Sequence, residues 1–188
     1  MRQYKNLVRL LDVDEDFIID LIYATPDNFT GRAVYSSDQC YIDVNTAQRL
    51  IQARDLAKED GLRMKVWDAY RPVSAQRRFW ELLPDNRFVA YPPDMETLTC
   101  FKNSHMNGQC VDVTLCDSQG CELVMPSGFD DFTKKARLDC PETTGEARKN
   151  AEYLRDIMTA AGFTPYSGEW WHFYDRKTAP VPYSDLIL

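Results

Sequence analysis

The segment from residue 107 to residue 115 constrains the fold most, because it joins a turn signal to an extended run. Asn107-Gly108 is a dipeptide typical of tight turns, and residues 111–115 include three β-branched side chains in alternation. The β-branched residues disfavour the alternative in which this segment continues as a helix. The sequence therefore predicts a turn at Gly108 followed by a strand at residues 111–115.

Other segments predict further strands. Residues 17–23 form a short apolar run that is typical of a buried strand, and residues 63–68 alternate between polar and apolar side chains. Gln119-Gly120 predicts a turn that leads into a strand at residues 121–125. Residues 163–174 are aromatic and β-prone.

Three segments predict helices from their capping residues and apolar stripes. Asn45 is expected to cap a helix that runs to about Asp60, and Ser74 is expected to cap a short helix that ends near Pro84. A Thr143-x-x-Glu146 capping box predicts the start of a long helix, which Gly162 ends.

The order of these elements predicts the fold class. Residues 24–32 and 84–103 carry turn-forming residues or lack a period and are expected to be loops. Helices and strands do not alternate as regular βαβ units, so we expect an α+β fold with a mostly antiparallel central sheet flanked by helices. A chain of 188 residues fits one domain covering residues 1–188.

Composition narrows the class of function and the compartment. The net charge of −7 argues against a nucleic-acid partner, since there is no excess of Lys and Arg to neutralise phosphates. The sequence has no apolar run long enough to span a membrane and no signal-peptide pattern at its start, which predicts a cytoplasmic protein. A periplasmic location is the alternative, if a leader was removed or if the six cysteines form disulfides; we expect free thiols.

The two histidines of the chain point to a metal site, because each lies near a carboxylate. His105 precedes Asp112 by seven residues, an odd offset that would place the two side chains on opposite faces of one straight strand. The turn at Gly108 must therefore fold His105 back over Asp112. With His172 as third ligand, the set matches one catalytic zinc ion with an open position for water, and Glu169 is the expected general base.

Arg71 is the candidate group for binding negative charge. Its guanidinium offers a fork of donors that suits an oxyanion or a carboxylate. The alternative is a surface ion pair with Asp68, and the alternative for His105 and His172 is an ordinary structural role.

Three motifs resemble those of the zinc D-alanyl-D-alanine dipeptidases, the group that includes the vancomycin-resistance enzymes, within the wider D-Ala-D-Ala peptidase superfamily. They are Asp68-x-Tyr70-Arg71-Pro72, His105-x-x-Gly108-x-x-x-Asp112 and Glu169-x-Trp171-His172. Two further segments resemble those of the dipeptidase branch. They are the loop around Asn28-Phe29 and the motif Phe129-Asp130-x-Phe132.

The resemblance implies a hedgehog-like zinc fold, zinc bound by His105, Asp112 and His172, Glu169 as the base, and Arg71 as the group that stabilises the transition state. It also implies that Asp130 holds the ammonium group of the substrate. Further expected substrate contacts are Tyr23, Asn28, Phe29, Asp68 and Ser104.

The sequence departs from the family pattern at several positions. Asn103 stands where a serine is common and Cys110 where alanine is usual. A Ser-His pair that often follows the Phe-Asp-x-Phe motif is replaced by Lys134-Lys135. These departures leave the ligands and the base intact but weaken the assignment of the substrate contacts.

The expected function is zinc-dependent hydrolysis of D-Ala-D-Ala or a closely related D,D-dipeptide, a small-molecule substrate. One alternative is a D,D- or L,D-carboxypeptidase that trims cell-wall peptides with the same site. A second alternative is a zinc-binding module without catalysis, against which the presence of both Glu169 and Arg71 argues. The sequence assigns neither an oligomeric state nor a biological role among resistance, wall recycling and nutrient use.

Overall fold

The computed structural model describes residues 6–186, which form a mixed sheet with helices on its faces. The strands are β1 Leu7–Arg9, β2 Ile18–Ile19, β3 Tyr41–Asp43, β4 Arg63–Asp68, β5 Cys110–Cys116, β6 Thr164–Pro165 and β7 His172–Tyr174. The α-helices are α1 Leu10–Val13, α2 Val44–Glu59, α3 Val73–Leu82 and α4 Gly145–Ala160.

The central sheet has five strands in the order β2-β4-β5-β7-β6. Only the β2–β4 pair is parallel, and the other three pairings are antiparallel. Strands β1 and β3 form a separate antiparallel pair. The α+β class with a mostly antiparallel sheet is therefore confirmed.

The main core lies between this sheet and helices α2 and α4. Leu50 of α2 and Leu154 of α4 are fully buried, as are Met64 of β4 and Leu115 of β5. Strand β5 is buried at all seven positions, since it has strands on both sides and covered faces. The strand predicted at residues 111–115 is confirmed at the centre of the sheet, which makes it a rigid platform for the groups it carries.

Two predicted strands are wrong in extent. Within residues 17–23 only Ile18–Ile19 pair with β4, and Ile22–Ala24 form a 3₁₀ turn that moves the chain away from the sheet edge. Residues 121–125 contribute one isolated bridge, Cys116 with Glu122, instead of a strand. In both segments the local sequence suits a strand, but the chain leaves the edge of the sheet after a short stretch of pairing.

The helices are confirmed, whereas the predicted caps are wrong by one or two residues. Helix α2 begins after Asp43, whose carboxylate accepts hydrogen bonds from the backbone N–H groups of Asn45 and Thr46. Helix α3 follows Pro72 and helix α4 follows Thr144, and neither has a side-chain cap hydrogen bond. Among residues 6–186, no helix has the length and apolar character needed to cross a membrane.

Candidate metal centre and active site

Three neighbouring strands place polar groups in one row across the sheet. Asp112 of β5 pairs with Asp68 of β4 on one side and with His172 of β7 on the other. The β4–β5 register shifts between Val66 and Asp68, so that Asp68 comes opposite Asp112. The sheet register therefore fixes two of the three predicted ligands before any loop contributes.

A tight turn brings the third ligand to this row. His105 begins a 3₁₀ turn, His105–Asn107, that Ser104 caps through a hydrogen bond from the Met106 N–H. Gly108 ends the turn with φ of 71°, a left-handed conformation that glycine adopts readily. A Cβ at Gly108 would lie 2.7 Å from the backbone nitrogen of Asp43, so both the dihedral and the space require glycine. As the sequence predicts, the chain folds His105 back over Asp112.

The three ligand groups converge. His172 Nδ1 lies 2.8 Å from Asp112 Oδ1, and His105 Nε2 lies 3.3 Å from Asp112 Oδ2. His105 Nε2 and His172 Nδ1 are 3.2 Å apart, and the three donor atoms lie within 4.8 Å of one another. All three residues are buried.

The donor set fits a metal ion. His105 Nδ1 lies 2.7 Å from the Ala69 carbonyl oxygen; a proton on this nitrogen donates to that oxygen and leaves the Nε2 lone pair facing Asp112. Two imidazole nitrogens and a carboxylate at this spacing are the N and O ligands of a three-ligand metal site. Burial would raise the pKa of Asp112, but His105 and His172 hold it well below the usual value, so the carboxylate is ionised and ready to bind a cation.

Glu169 lies beside the ligands, in the loop that precedes β7. Its Oε2 atom is 4.0 Å from His172 Nδ1, and 29% of its side chain is exposed. Burial raises the pKa of Glu169 to about 7, with the negative Asp112 and Asp130 adding to the rise and His172 opposing it. A carboxylate with this pKa can accept and return a proton near neutral pH.

Arg71 forms an ion pair with Asp68, as one alternative expected, but the pair is buried and does not lie on the surface. Its Nε and Nη2 atoms donate to Asp68 Oδ2 at 3.0 and 2.7 Å. The guanidinium stacks over the rings of Tyr23 and Phe79, and 13% of the side chain is exposed. Burial alone would lower the pKa of Arg71, but the negative Asp68 raises it well above the usual value. A fixed cation thus lies 3.9 Å from Asp112.

Asp130 and Tyr23 form a polar pair that also lines the site. The Tyr23 hydroxyl lies 3.0 Å from both carboxylate oxygens of Asp130. Burial raises the pKa of Asp130 to about 7, and the Tyr23 hydrogen bond limits that rise. Asp130 also has a positive φ of 56°, which is uncommon outside glycine. The pair is a ready partner for a positive group that enters the cavity.

These groups surround a cavity of about 510 Å³, a size typical of small-molecule sites. Nine of the eleven site residues predicted from the sequence line it: Tyr23, Phe29, Arg71, Ser104, His105, Asp112, Asp130, Glu169 and His172. The Pro-rich segment 84–103 supplies many further lining residues, including Phe88 and Tyr91.

Asn28 and Asp68 do not line this cavity. The Asn28 side-chain amide donates to the carbonyl oxygens of Thr25 and Arg32 and accepts from Thr30, which holds its own loop. Asp68 is fully buried and accepts from Tyr35 as well as from Arg71. Both side chains hydrogen-bond to neighbouring groups of the protein and do not line the cavity.

Gln76 also holds Arg71 and was not predicted from the sequence. Gln76 is 4% exposed; its Oε1 accepts from Arg71 Nη1 at 2.8 Å and its Nε2 donates to the Ala90 carbonyl at 2.7 Å. The signal in the sequence was its position on the inner face of α3, three residues from both Val73 and Phe79. A polar side chain on such a face needs a buried partner.

Comparison with known proteins identifies the family. A model of the M15 peptidase family, described as D-ala-D-ala dipeptidase, matches residues 3–187. The chain belongs to this family. Its members are peptidases, so the family predicted from the motifs is confirmed and the chain is a peptidase.

Individual relatives extend over nearly the same length. The D-alanyl-D-alanine dipeptidase of Escherichia coli K12 is 34% identical over 182 residues, covering 97% of this chain and 91% of the relative. The D-alanyl-D-alanine dipeptidase of Enterococcus faecium is 34% identical over 179 residues, with 88% of each chain covered. Among solved structures, VanYB in complex with D-alanine-D-alanine aligns with a TM-score of 0.45 and 17% identity over 74% of each chain.

Proposed function

We propose that this chain hydrolyses D-Ala-D-Ala with one zinc ion held by His105, Asp112 and His172. The observation that carries the proposal is the convergence of these three buried donors within 4.8 Å of one another, on the wall of a cavity that Glu169 and Arg71 also line. The names of the relatives, which share about a third of their residues with this chain, support the dipeptide as substrate.

The bound zinc would supply Lewis acidity, which polarises the scissile carbonyl and lowers the pKa of water. Glu169 removes a proton from the attacking water and later delivers it to the leaving amine. Its pKa of about 7 suits both steps, because the carboxyl group can take up and give back a proton at little cost near neutral pH.

Arg71 stabilises the negative charge that develops on the carbonyl oxygen. The hydrogen bonds that Arg71 donates to Asp68 and Gln76 fix the plane of the guanidinium. The guanidinium also lies over the rings of Tyr23 and Phe79. We therefore assign Asp68 to positioning Arg71, in place of the direct substrate contact expected from the sequence. Asn28 is assigned to holding the loop that carries Phe29.

Asp130 and Tyr23 bind the free ammonium of the dipeptide. An ammonium beside Asp130 favours its ionised form and pairs a charge that is otherwise buried. The same contact favours a dipeptidase over a carboxypeptidase, because a longer peptide would present a neutral amide to this carboxylate.

Hydrolysis of free and blocked substrates tests the proposal. The purified, zinc-loaded protein should release D-alanine from D-Ala-D-Ala and reject N-acetyl-D-Ala-D-Ala by about 10⁴-fold in kcat/KM, since the blocked amine leaves Asp130 without a cation. A panel of D,D, L,D and L,L dipeptides sets the stereochemical preference. Equal turnover of free and blocked peptides would favour the carboxypeptidase, and zinc content without hydrolysis of any dipeptide would favour a binding module.

We also propose a cytoplasmic location. The six thiols, all within residues 6–186, are unpaired, and four of them are buried in a core that needs no disulfide. Thiol counting in the denatured, unreduced protein should return six, and a lower number would favour the periplasm.

A further inference from the structure

A second cavity lies next to the catalytic cavity, on the side where Asp130 lines both spaces. It has a volume of about 350 Å³ and is lined by loop residues around Pro26 and Asp27 and by Phe129. Among the described residues, two line both this outer cavity and the catalytic cavity, namely Phe29 and Asp130. These two side chains therefore form the partition between the two spaces.

Phe29 is held in the partition by three aromatic rings. Its ring centroid lies 5.3 Å from that of Phe79, 5.5 Å from that of Phe132 and 6.2 Å from that of Tyr23. Such edge-to-face and tilted contacts fix the ring orientation beyond what its buried area alone would do. Below it, the Asn28 amide hydrogen bonds hold the loop backbone independently of the ring.

The position of this partition matters for substrate length. Under the proposed function, on which this inference rests, the substrate ammonium meets Asp130. A residue added at the amine end of the substrate would have to cross the partition into the outer cavity. There the exposed carboxylate of Asp27 could pair with the displaced ammonium, and Ile22 and Phe129 offer apolar surface for a small side chain.

We propose that Phe29 determines substrate length: its ring closes the amine end of the catalytic cavity, and the outer cavity is a subsite for one additional N-terminal residue once that ring is removed. Asp130 disfavours a longer peptide because it loses its cationic partner, but it does not block the path of that peptide, since its carboxylate can still accept a hydrogen bond from the amide N–H. The ring, by contrast, occupies the path of the chain.

Phe29→Ala tests the inference, with Phe132→Ala as the matched control. Phe132 loses the same number of atoms and also touches Phe29, but it lines only the catalytic cavity. The measurement is kcat/KM for D-Ala-D-Ala-D-Ala, followed as loss of the tripeptide, divided by kcat/KM for D-Ala-D-Ala. We expect Phe29→Ala to raise this ratio by at least about tenfold over wild type and Phe132→Ala to leave it unchanged.

Several results would overturn the inference. An unchanged ratio in a folded Phe29→Ala protein that still cleaves the dipeptide would do so, as would an equal rise in Phe132→Ala, which would indicate general loosening of the aromatic cluster. If Phe29→Ala does not fold, Phe29→Leu keeps an apolar side chain with a shorter reach and should raise the ratio by about threefold or more; no rise there is also contradictory. A wild-type protein inactive on D-Ala-D-Ala would instead refute the proposed function itself, and the inference with it.

Discussion

At the residue scale, one cavity holds three carboxylates that differ in their readiness to ionise. His105 and His172 hold the pKa of Asp112 well below its usual value, whereas burial raises the pKa of Glu169 and of Asp130 to about 7. The imidazoles interact with Asp112 through charge and hydrogen bonds, whereas burial dominates for Glu169 and Asp130. The difference matches the proposed division into ligand, base and amine partner.

Glu169→Gln should separate catalysis from stability. We expect kcat for D-Ala-D-Ala to fall by about 10²–10⁴-fold with zinc content retained, because the amide cannot take the proton. The metal-free variant should be more stable than metal-free wild type above pH 7, by on the order of 1–3 kcal/mol, since it removes a carboxyl whose ionisation is disfavoured in the folded state.

The direction of this change in stability follows from the pKa of Glu169 in the folded chain and its reference pKa. The carboxyl of Glu169 has a pKa of about 7 when folded against a reference of 4.5, so the wild type loses stability as the pH rises through that window and loses none below it. Thermal melts of both proteins in chelator at pH 4 and pH 8 measure the difference. A gap that is as large at pH 4 as at pH 8 would contradict the assigned cause.

At the element scale, the site depends on the β4–β5–β7 register and on one turn. The register aligns Asp68, Asp112 and His172, and the turn at Gly108 adds His105. These elements are held by the central sheet, whereas the amine side of the cavity is held by loops. The metal side is therefore the more rigid half of the site.

Gly108→Ala should damage both fold and metal binding. A Cβ there would lie 2.7 Å from the Asp43 nitrogen and 2.8 Å from Leu7 Cδ2, in a left-handed backbone. We expect a loss of about 2–5 kcal/mol in the free energy of unfolding and weaker zinc binding, because relief of the clash moves the turn that carries His105.

Gly61→Ala is the control for the backbone dihedral alone. Gly61 has φ of 75°, but a Cβ added there would meet no atom of residues 6–186 within 4 Å, so this variant should lose only about 1–2 kcal/mol and keep its zinc affinity. Urea denaturation and zinc titration measure both quantities. Equal losses in the two variants would mean that the contact with Asp43 has no consequence.

At the scale of the whole molecule, the metal would join elements that are far apart in the chain. His172 and Asp112 lie 60 residues apart, and His105 reaches them through a separate turn. An ion that binds only the folded arrangement stabilises the whole chain by mass action.

Removal of zinc should therefore lower the melting temperature. At free zinc about 100-fold above Kd, the ion adds about 2.7 kcal/mol, which corresponds to a rise of about 5–10 °C for a chain of this size. Calorimetry with zinc and with a chelator measures the shift, and it should shrink as the pH falls because the ligands must be deprotonated. His172→Ala should abolish the shift; a full shift in that variant would place the ion elsewhere.

The sequence by itself determined the centre of the fold, the turn that brings His105 to Asp112, and the family. The β-branched run predicted strand β5, the spacing of His105 and Asp112 required the turn at Gly108, and the motifs identified the family. These inferences succeeded because each depends on residues close together in the chain, where backbone preference and side-chain chemistry act directly.

Only the tertiary structure decided which groups meet across the sheet and which face the cavity. The strand expected at residues 17–23 is limited to Ile18–Ile19, because the chain turns away from the sheet edge at Ile22–Ala24. Asp68 and Gln76 accept hydrogen bonds from Arg71, and Phe29 lines two cavities. Strand register and loop packing set these contacts, and both depend on partners remote in sequence that no local pattern records.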